Sequence, residues 1–260
     1  MSAAYPPPLA RAMRAVLQDL NAVAPRQAAL PSLVRAFCLR PGKLLRPRLL
    51  RAAHAAAGGR GTPPALWQLA AALELTHSFA LIHDDLVDQA QVRRGGRALP
   101  GLLDEAYPGQ GRELALITGD WLYTAALRLA FTATRALPNS DPLFNLWLAG
   151  AQATAAGELG ELLASAPCPL PSVRRILALY DQKTGQYTFV LPLVMGVLSA
   201  GGGEYDLKAI EAAGLCLGRA FQIRNDLADF RSGRDEDIRQ GRPTLLAARL
   251  LAAAKPRERP

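Results

Sequence analysis

The sequence predicts an all-α helical bundle. Half the residues are hydrophobic, Ala and Leu dominate while β-branched residues are few, and that mix favours helix over strand. The 20 prolines and 22 glycines gather between apolar stretches and so act as punctuation. No alternating apolar–polar run of useful length signals a strand. Taken in order, Pro6 to Pro8 open a helix to about Asn21. A second helix runs from about Gln27 to Cys38 and breaks at "LRPGKLLRP", where Pro47 can start the next. That one ends near "GGRGTPP", and 64–90 form a long helix. "RRGGRALPG" and "YPGQG" mark loops. Further helices are expected over 112–136, 142–165, 171–200 and 206–231, with a short one over 244–254 and a fraying tail, "KPRERP". Bundles of this kind build ligand sites between facing helices.

Length and composition bound the function. A chain of 260 residues is read as a single domain over 1–260 with a sizeable core. The formal charge of +8 and pI near 9.9 suit anionic ligands, phosphates or an acidic membrane surface. Cys38, Cys168 and Cys216 are dispersed and show no CxxC spacing, which argues against a disulfide framework or zinc site and for a reducing, cytoplasmic compartment. The start "MSAAYPPPLARAM" lacks an apolar signal core. No stretch of about twenty residues is free of charge and helix breakers, as a spanning helix should be.

Two acidic segments could do chemistry. "LIHDDLVDQAQVRRGG" concentrates Asp84, Asp85 and Asp88, then Arg93 and Arg94. Asp84 and Asp88 share a helix face, with Asp85 about 100° round. Stacked carboxylates repel, so either this is a solvated acidic helix end or a cation offsets the repulsion. A few hard oxygen ligands, with room for water and phosphate, suit Mg. "AFQIRNDLADF" repeats the arrangement: Asn225 and Asp229 lie at i, i+4 around Asp226, and Gln222 lies one turn before it. An exposed amphipathic helix is the plainer reading, but "AFQI" is apolar right up to the acids. The two acidic faces are expected to meet across a cleft. Lys43 and Arg46 flank a helix start, a good anion site. His77 lies two turns before Asp84, roughly 10 Å along the axis. Lys183 and Thr184 precede Gly185, a candidate kink.

With these segments in order, the chain resembles the trans-isoprenyl diphosphate synthases of the polyprenyl synthetase family. "GKLLRP", "LELTHSFALIHDDLVD" with "RRGG", "GDWLYTAAL", "KTG" and "AFQIRNDLADF" match five family blocks over about 35 to 245. The resemblance implies the isoprenoid synthase fold around a central cavity and a Mg-dependent ionisation, condensation and elimination. It implies that Asp84, Asp85, Asp88 and Asp226 hold Mg on an allylic diphosphate, with Arg93, Lys183, Thr184 and Gln222 beside it. Isopentenyl diphosphate would bind at Lys43, Arg46, His77 and Arg94. It also implies a homodimer on helices around 114–130 and 142–160. Neither nucleic acid nor an integral membrane segment is expected, and membrane contact is expected only transiently, for product release. Phe79, the fifth residue before Asp84, resembles the chain-length aromatic of geranylgeranyl diphosphate synthases, whereas helical geometry alone points to Ala80.

Three departures stand out. Asn225 replaces the usual first aspartate of the second motif, Arg242 stands where lysine is common, and the chain stops soon after "GRPTLL", where relatives run on. They raise two alternatives: a noncatalytic or weakly active partner subunit of a heteromeric synthase, and a terpene-synthase-like enzyme. Lys43, Arg46 and His77 argue against the latter, which needs no isopentenyl diphosphate site.

Overall fold

The computed structural model describes residues 4–23, 29–164, 171–201, 204–231 and 241–253. Gln27, Cys168 and "KPRERP", named above, lie outside the described residues. The described residues are helical almost throughout, in agreement with the composition: α1 (Pro7–Gln18), α2 (Leu20–Val23), α3 (Ala29–Cys38), α4 (Leu45–Ala56), α5 (Pro64–Val87), α6 (Leu99–Ala106), α7 (Gly111–Arg135), α8 (Ser140–Ala164), α9 (Val173–Tyr180), a π-helical segment (Asp181–Val190), α10 (Leu191–Ala200), α11 (Leu207–Arg231) and α12 (Leu245–Ala253). A two-stranded antiparallel ribbon, β1 (Val92–Arg93) and β2 (Gly96–Arg97), interrupts them.

The contacts divide the chain into two compact units. The first comprises Met1–Phe144 with Leu198–Gly202, and the second comprises Asn145–Val197 with Gly203–Pro260. In the first, α5 is the axial helix. It is buried on almost every side, with Leu66, Leu69, Leu73, Leu75 and Ile82 fully enclosed, as a helix apolar all round should be. By length and composition it could cross a membrane, yet 67% of its most apolar window is buried within the protein. Helices α7, α6, α1 and α4 pack against it. Pro63 and Pro64 start it where a missing N–H costs nothing. In the second unit α11 packs along the π-helical segment, and α12 rests on α9 and α11.

Two expectations are corrected. "RRGGRALPG", read as a loop, forms the ribbon and the start of α6. Its strands are only two residues long, too short for alternation to register. The fourth helix begins at Leu45 rather than Pro47. Proline is tolerated in a first turn, whose N–H groups have no intrahelical acceptor, so it does not mark the first residue.

Candidate active site

In the first unit the acids and bases of α5 meet those of two flanking turns. Asp84 and Asp88 are half-buried. Asp88 ends the helix, its N–H donating to the Asp84 carbonyl at 2.8 Å. Asp85 points elsewhere and is 1% exposed. Its Oδ1 accepts from Arg93 Nε at 2.6 Å and Nη2 at 2.5 Å, while its Oδ2 is buried without a hydrogen-bond donor. Burial raises the Asp85 pKa, and the Arg93 guanidinium partly offsets this. Arg93 therefore sits on a carboxylate rather than open to a substrate.

Arg94 is placed by its backbone. Arg94 (φ 52°) and Gly95 (φ 73°) are the two turn residues between Arg93 and Gly96. Two successive positive φ values match a type I′ hairpin, whose twist suits the flanking strands. An arginine there bears backbone strain. In return its guanidinium lies against Gly42, where an added Cβ would come within 3.5 Å of Arg94 Cζ. Arg94 Nη1 is buried with no hydrogen-bond acceptor. Arg40 braces the ribbon by donating to the carbonyls of Arg93 (3.1 Å) and Arg97 (2.7 Å).

His77 shares this environment. Burial and the positive charges of Arg46, Arg94 and Arg93 push its pKa well below the ordinary histidine value, so the imidazole is neutral near pH 7 and offers one N–H. Arg46 is 8% exposed; Lys43 is exposed. Sequence reasoning missed Glu74 and Tyr5. Glu74 is 2% exposed. Its pKa is raised by burial and drawn back by Arg46 and Arg94. The Tyr5 hydroxyl lies 3.1 Å from the Cys38 carbonyl and 3.4 Å from Glu74 Oε2. One acid inside an otherwise apolar helix was the available signal for a buried charge. Next to it, burial pushes the Cys38 thiol up to about 12, leaving it inert.

Phe79 packs between two rings, with centroids 4.5 Å from His83 and 4.8 Å from Tyr123 on α7. Ala80 is half-buried. Gly119 makes room for this stack, since a Cβ there would lie 2.5 Å from His83 Nε2.

In the second unit Asp226 is the centre of a closed network. It is 8% exposed. The Tyr180 hydroxyl donates a short hydrogen bond to its Oδ2, and Gln222 Nε2 donates to Oδ1 at 2.8 Å. Gln222 Oε1 in turn accepts from the Thr184 hydroxyl at 2.9 Å. Burial raises the Asp226 pKa, the two donors lower it, and repulsion from Glu161 and Asp229 raises it again. Thr184, Gln222 and Asp226 are thus brought together. Lys183 turns instead to α8, its Nζ 2.9 Å from Glu158 and 2.8 Å from Glu161. Arg242 also reaches Glu161, at 3.4 Å. Asn225 is half-buried. The α8 pair was legible in "GELGEL", where Glu158 and Glu161 share a face at i, i+3. Tyr180 gave no signal, because its role depends on the helix that follows it.

The polyprenyl synthetase family model matches residues 27–260. The chain belongs to that family. Among its relatives are a geranylgeranyl diphosphate synthase from Sulfolobus acidocaldarius, 28% identical over 84% of this chain, and an octaprenyl diphosphate synthase from Haemophilus influenzae, 28% identical over 78%. The chain spans 66% of the first relative's length and 59% of the second's. Among solved structures, a Caulobacter crescentus polyprenyl synthase complexed with calcium and isoprenyl diphosphate superposes with a TM-score of 0.73 at 29% identity, covering 99% of this chain and 77% of that one. A Trypanosoma brucei farnesyl diphosphate synthase reaches 0.81 at 19% identity, covering 95% and 76%, a likeness of fold. The polyprenyl synthetase chain thus has the isoprenoid synthase fold.

Proposed function

We propose that this polyprenyl synthetase family member is a trans-prenyltransferase that joins isopentenyl diphosphate to an allylic diphosphate, with geranylgeranyl diphosphate as product. The observation that carries this reading is the cluster of buried cationic donors in the first unit. There Arg94 Nη1 is buried and lacks an acceptor, Arg46 is buried nearby, and neutral His77 completes a donor set for a diphosphate. In this reading Lys43, Arg46, His77 and Arg94 bind isopentenyl diphosphate. The allylic C–O bond breaks, the double bond of isopentenyl diphosphate forms the new C–C bond, and the surplus proton leaves with the departing diphosphate. Fixed positive charge accelerates ionisation because leaving-group charge grows in the transition state.

The residues present fit Mg. Asp85 Oδ2 is a buried carboxylate oxygen without a donor, with Asp84 and Asp88 on the adjoining face. Among the described residues no three acidic, histidine or cysteine side chains gather as a closed cage. Mg is commonly held by one or two carboxylates together with substrate phosphate and water, so an open set is sufficient. Bound there, Mg would neutralise diphosphate charge as a Lewis acid. Arg93 would then orient Asp85, and Asp226 is the acid of the second motif that would hold a cation.

The geranylgeranyl assignment rests on Phe79, propped by His83 and Tyr123 and able to block a growing chain below Asp84. Removing the ring by Phe79→Ala should move products beyond twenty carbons with condensation intact. An unchanged product distribution from a folded, active variant would place the floor elsewhere. We also assign the protein to the cytoplasm and expect a homodimer, in which a second copy covers Leu116 and Ile117, 45% and 65% exposed on α7.

A second reading, a partner subunit with little activity of its own, is favoured by one observation: Lys183 and Asp226 are satisfied within the protein. The deciding experiment assays the purified chain alone with radiolabelled isopentenyl diphosphate and each allylic primer, with and without Mg. Mg-dependent product supports the synthase. No product alone, with activity restored by a second chain, supports the partner subunit.

A further inference from the structure

Tyr180 is absent from every motif considered above, yet its hydroxyl is the junction of three helices. It is 7% exposed at the end of α9. Its O–H donates to Asp226 Oδ2 on α11, and its oxygen accepts the Leu245 N–H at 2.9 Å. Leu245 is the first residue of α12, and that N–H is one of the first-turn donors that have no acceptor within the helix. Two later donors of its first turn are served locally, Ala247 N–H by Thr244 Oγ1 at 3.1 Å and Ala248 N–H by the Thr244 carbonyl at 3.1 Å. Helix α12 has no fully buried side chain, so little apolar packing holds it and one hydrogen bond weighs heavily.

The two bonds of the hydroxyl strengthen each other. Donation to a carboxylate makes the phenolic oxygen a better acceptor, as in any hydrogen-bond chain. A cation on Asp226 withdraws the charge that drives the donation and competes for the same oxygen.

We propose that Tyr180 is a positioning residue whose single hydroxyl couples cation capture by Asp226 to the docking of α12, so that loading the carboxylate loosens the helix. This rests on the reading of Asp226 as a cation ligand. It deepens that reading by making the C-terminal helix a sensor of the second motif's occupancy.

The test uses MnCl2 alone on the full chain. Free Mn2+ is followed by electron paramagnetic resonance, and tryptic cleavage after Arg249, exposed within α12, is followed by mass spectrometry. In the unsubstituted protein Mn2+ should speed that cleavage. In Tyr180→Phe, Asp226 loses a competing charge-assisted donor, so Mn2+ should bind about tenfold tighter. Cleavage should then be fast and indifferent to the metal. Leu245→Pro leaves the Tyr180–Asp226 bond in place and removes the N–H, together with a half-buried side chain, at a position where proline is favoured. It should give fast, metal-indifferent cleavage without tighter Mn2+ binding, and it serves if Tyr180→Phe does not fold. Asp226→Asn separates the two levels of the argument. Undiminished Mn2+ binding in that variant removes Asp226 as a ligand. Weakened binding there, with Tyr180→Phe identical to the unsubstituted protein, overturns the coupling alone, as does Mn2+ that protects or leaves unchanged the bond after Arg249.

Discussion

Arg94 shows how much a single residue can be asked to do. Its φ of 52° is a conformation that asparagine adopts more readily than arginine. Arg94→Asn should therefore keep or raise the melting temperature while raising the Michaelis constant for isopentenyl diphosphate. Hydrogen bonds to charged groups are each worth about 1.5–3 kcal/mol, so the rise should be roughly tenfold or more. The constant for the allylic substrate should stay put, and equal effects on both would mean the subsites are misassigned. His77 makes a different prediction, about pH. Its pKa is lowered in the folded state, so below the unfolded value of about 6.5 the unfolded chain binds a proton that the folded chain does not. Stability then falls as pH falls through that window. His54, lowered by burial, adds to the same slope, while Glu74, Asp85 and Asp226, raised chiefly by burial, act in the opposite sense. The comparison that isolates His77 is His77→Gln, whose melting temperature should fall less than that of the unsubstituted protein between pH 7 and 5. Parallel curves would mean that His77 binds its proton equally well in both states.

At the scale of elements, the second network depends on how closely two helices approach. Gly185 interrupts α-helical geometry, and the surrounding ten residues are π-helical; such bulges commonly mark functional segments. Opposite it on α11 lie Gly214 and Gly218. A Cβ on Gly218 would sit 2.4 Å from Gly185 Cα, and one on Gly214 would sit 2.8 Å from Val190 Cγ2. This close crossing brings Thr184 to Gln222 and Tyr180 to Asp226. Gly218→Ala should therefore cost roughly 1–3 kcal/mol, the usual range for overpacking. Thermal unfolding would show the loss, and an unchanged melting temperature would contradict the crossing. The long helices were legible because apolar periodicity and proline starts agree over many residues. The ribbon and α6 were not, since eight helical residues and two-residue strands carry too little pattern. Gly185 was visible as a candidate kink, but the π-helical segment around it and its approach to Gly218, more than thirty residues away, were not. The motifs named Asp226, Gln222 and Thr184 as site residues, and the structure joins them by hydrogen bonds. They did not show that Lys183 is held by Glu158 and Glu161, because that depends on the approach of α8.

For the molecule as a whole, a formal charge of +8 draws anions to a chain whose functional charges are locally balanced. Glu74 answers Arg46 and Arg94, and Asp85 answers Arg93. The most consequential of these balances surrounds Lys183, which lies between two carboxylates 2.9 and 2.8 Å away, one of them shared with Arg242 at 3.4 Å. A bare diphosphate approaching that lysine must displace anions of its own sign, whereas a diphosphate that has already collected divalent ions need not. For the proposed synthase an order of events then follows: substrate should enter as a metal chelate, and the uncomplexed anion should be a poor ligand. Raising allylic diphosphate at fixed low Mg should first speed and then slow turnover, as the excess sequesters the ions. Adding Mg back should restore the rate fully. A slow phase that persists in saturating Mg would mean that the anion itself blocks the site, and that Lys183 yields to it unaided.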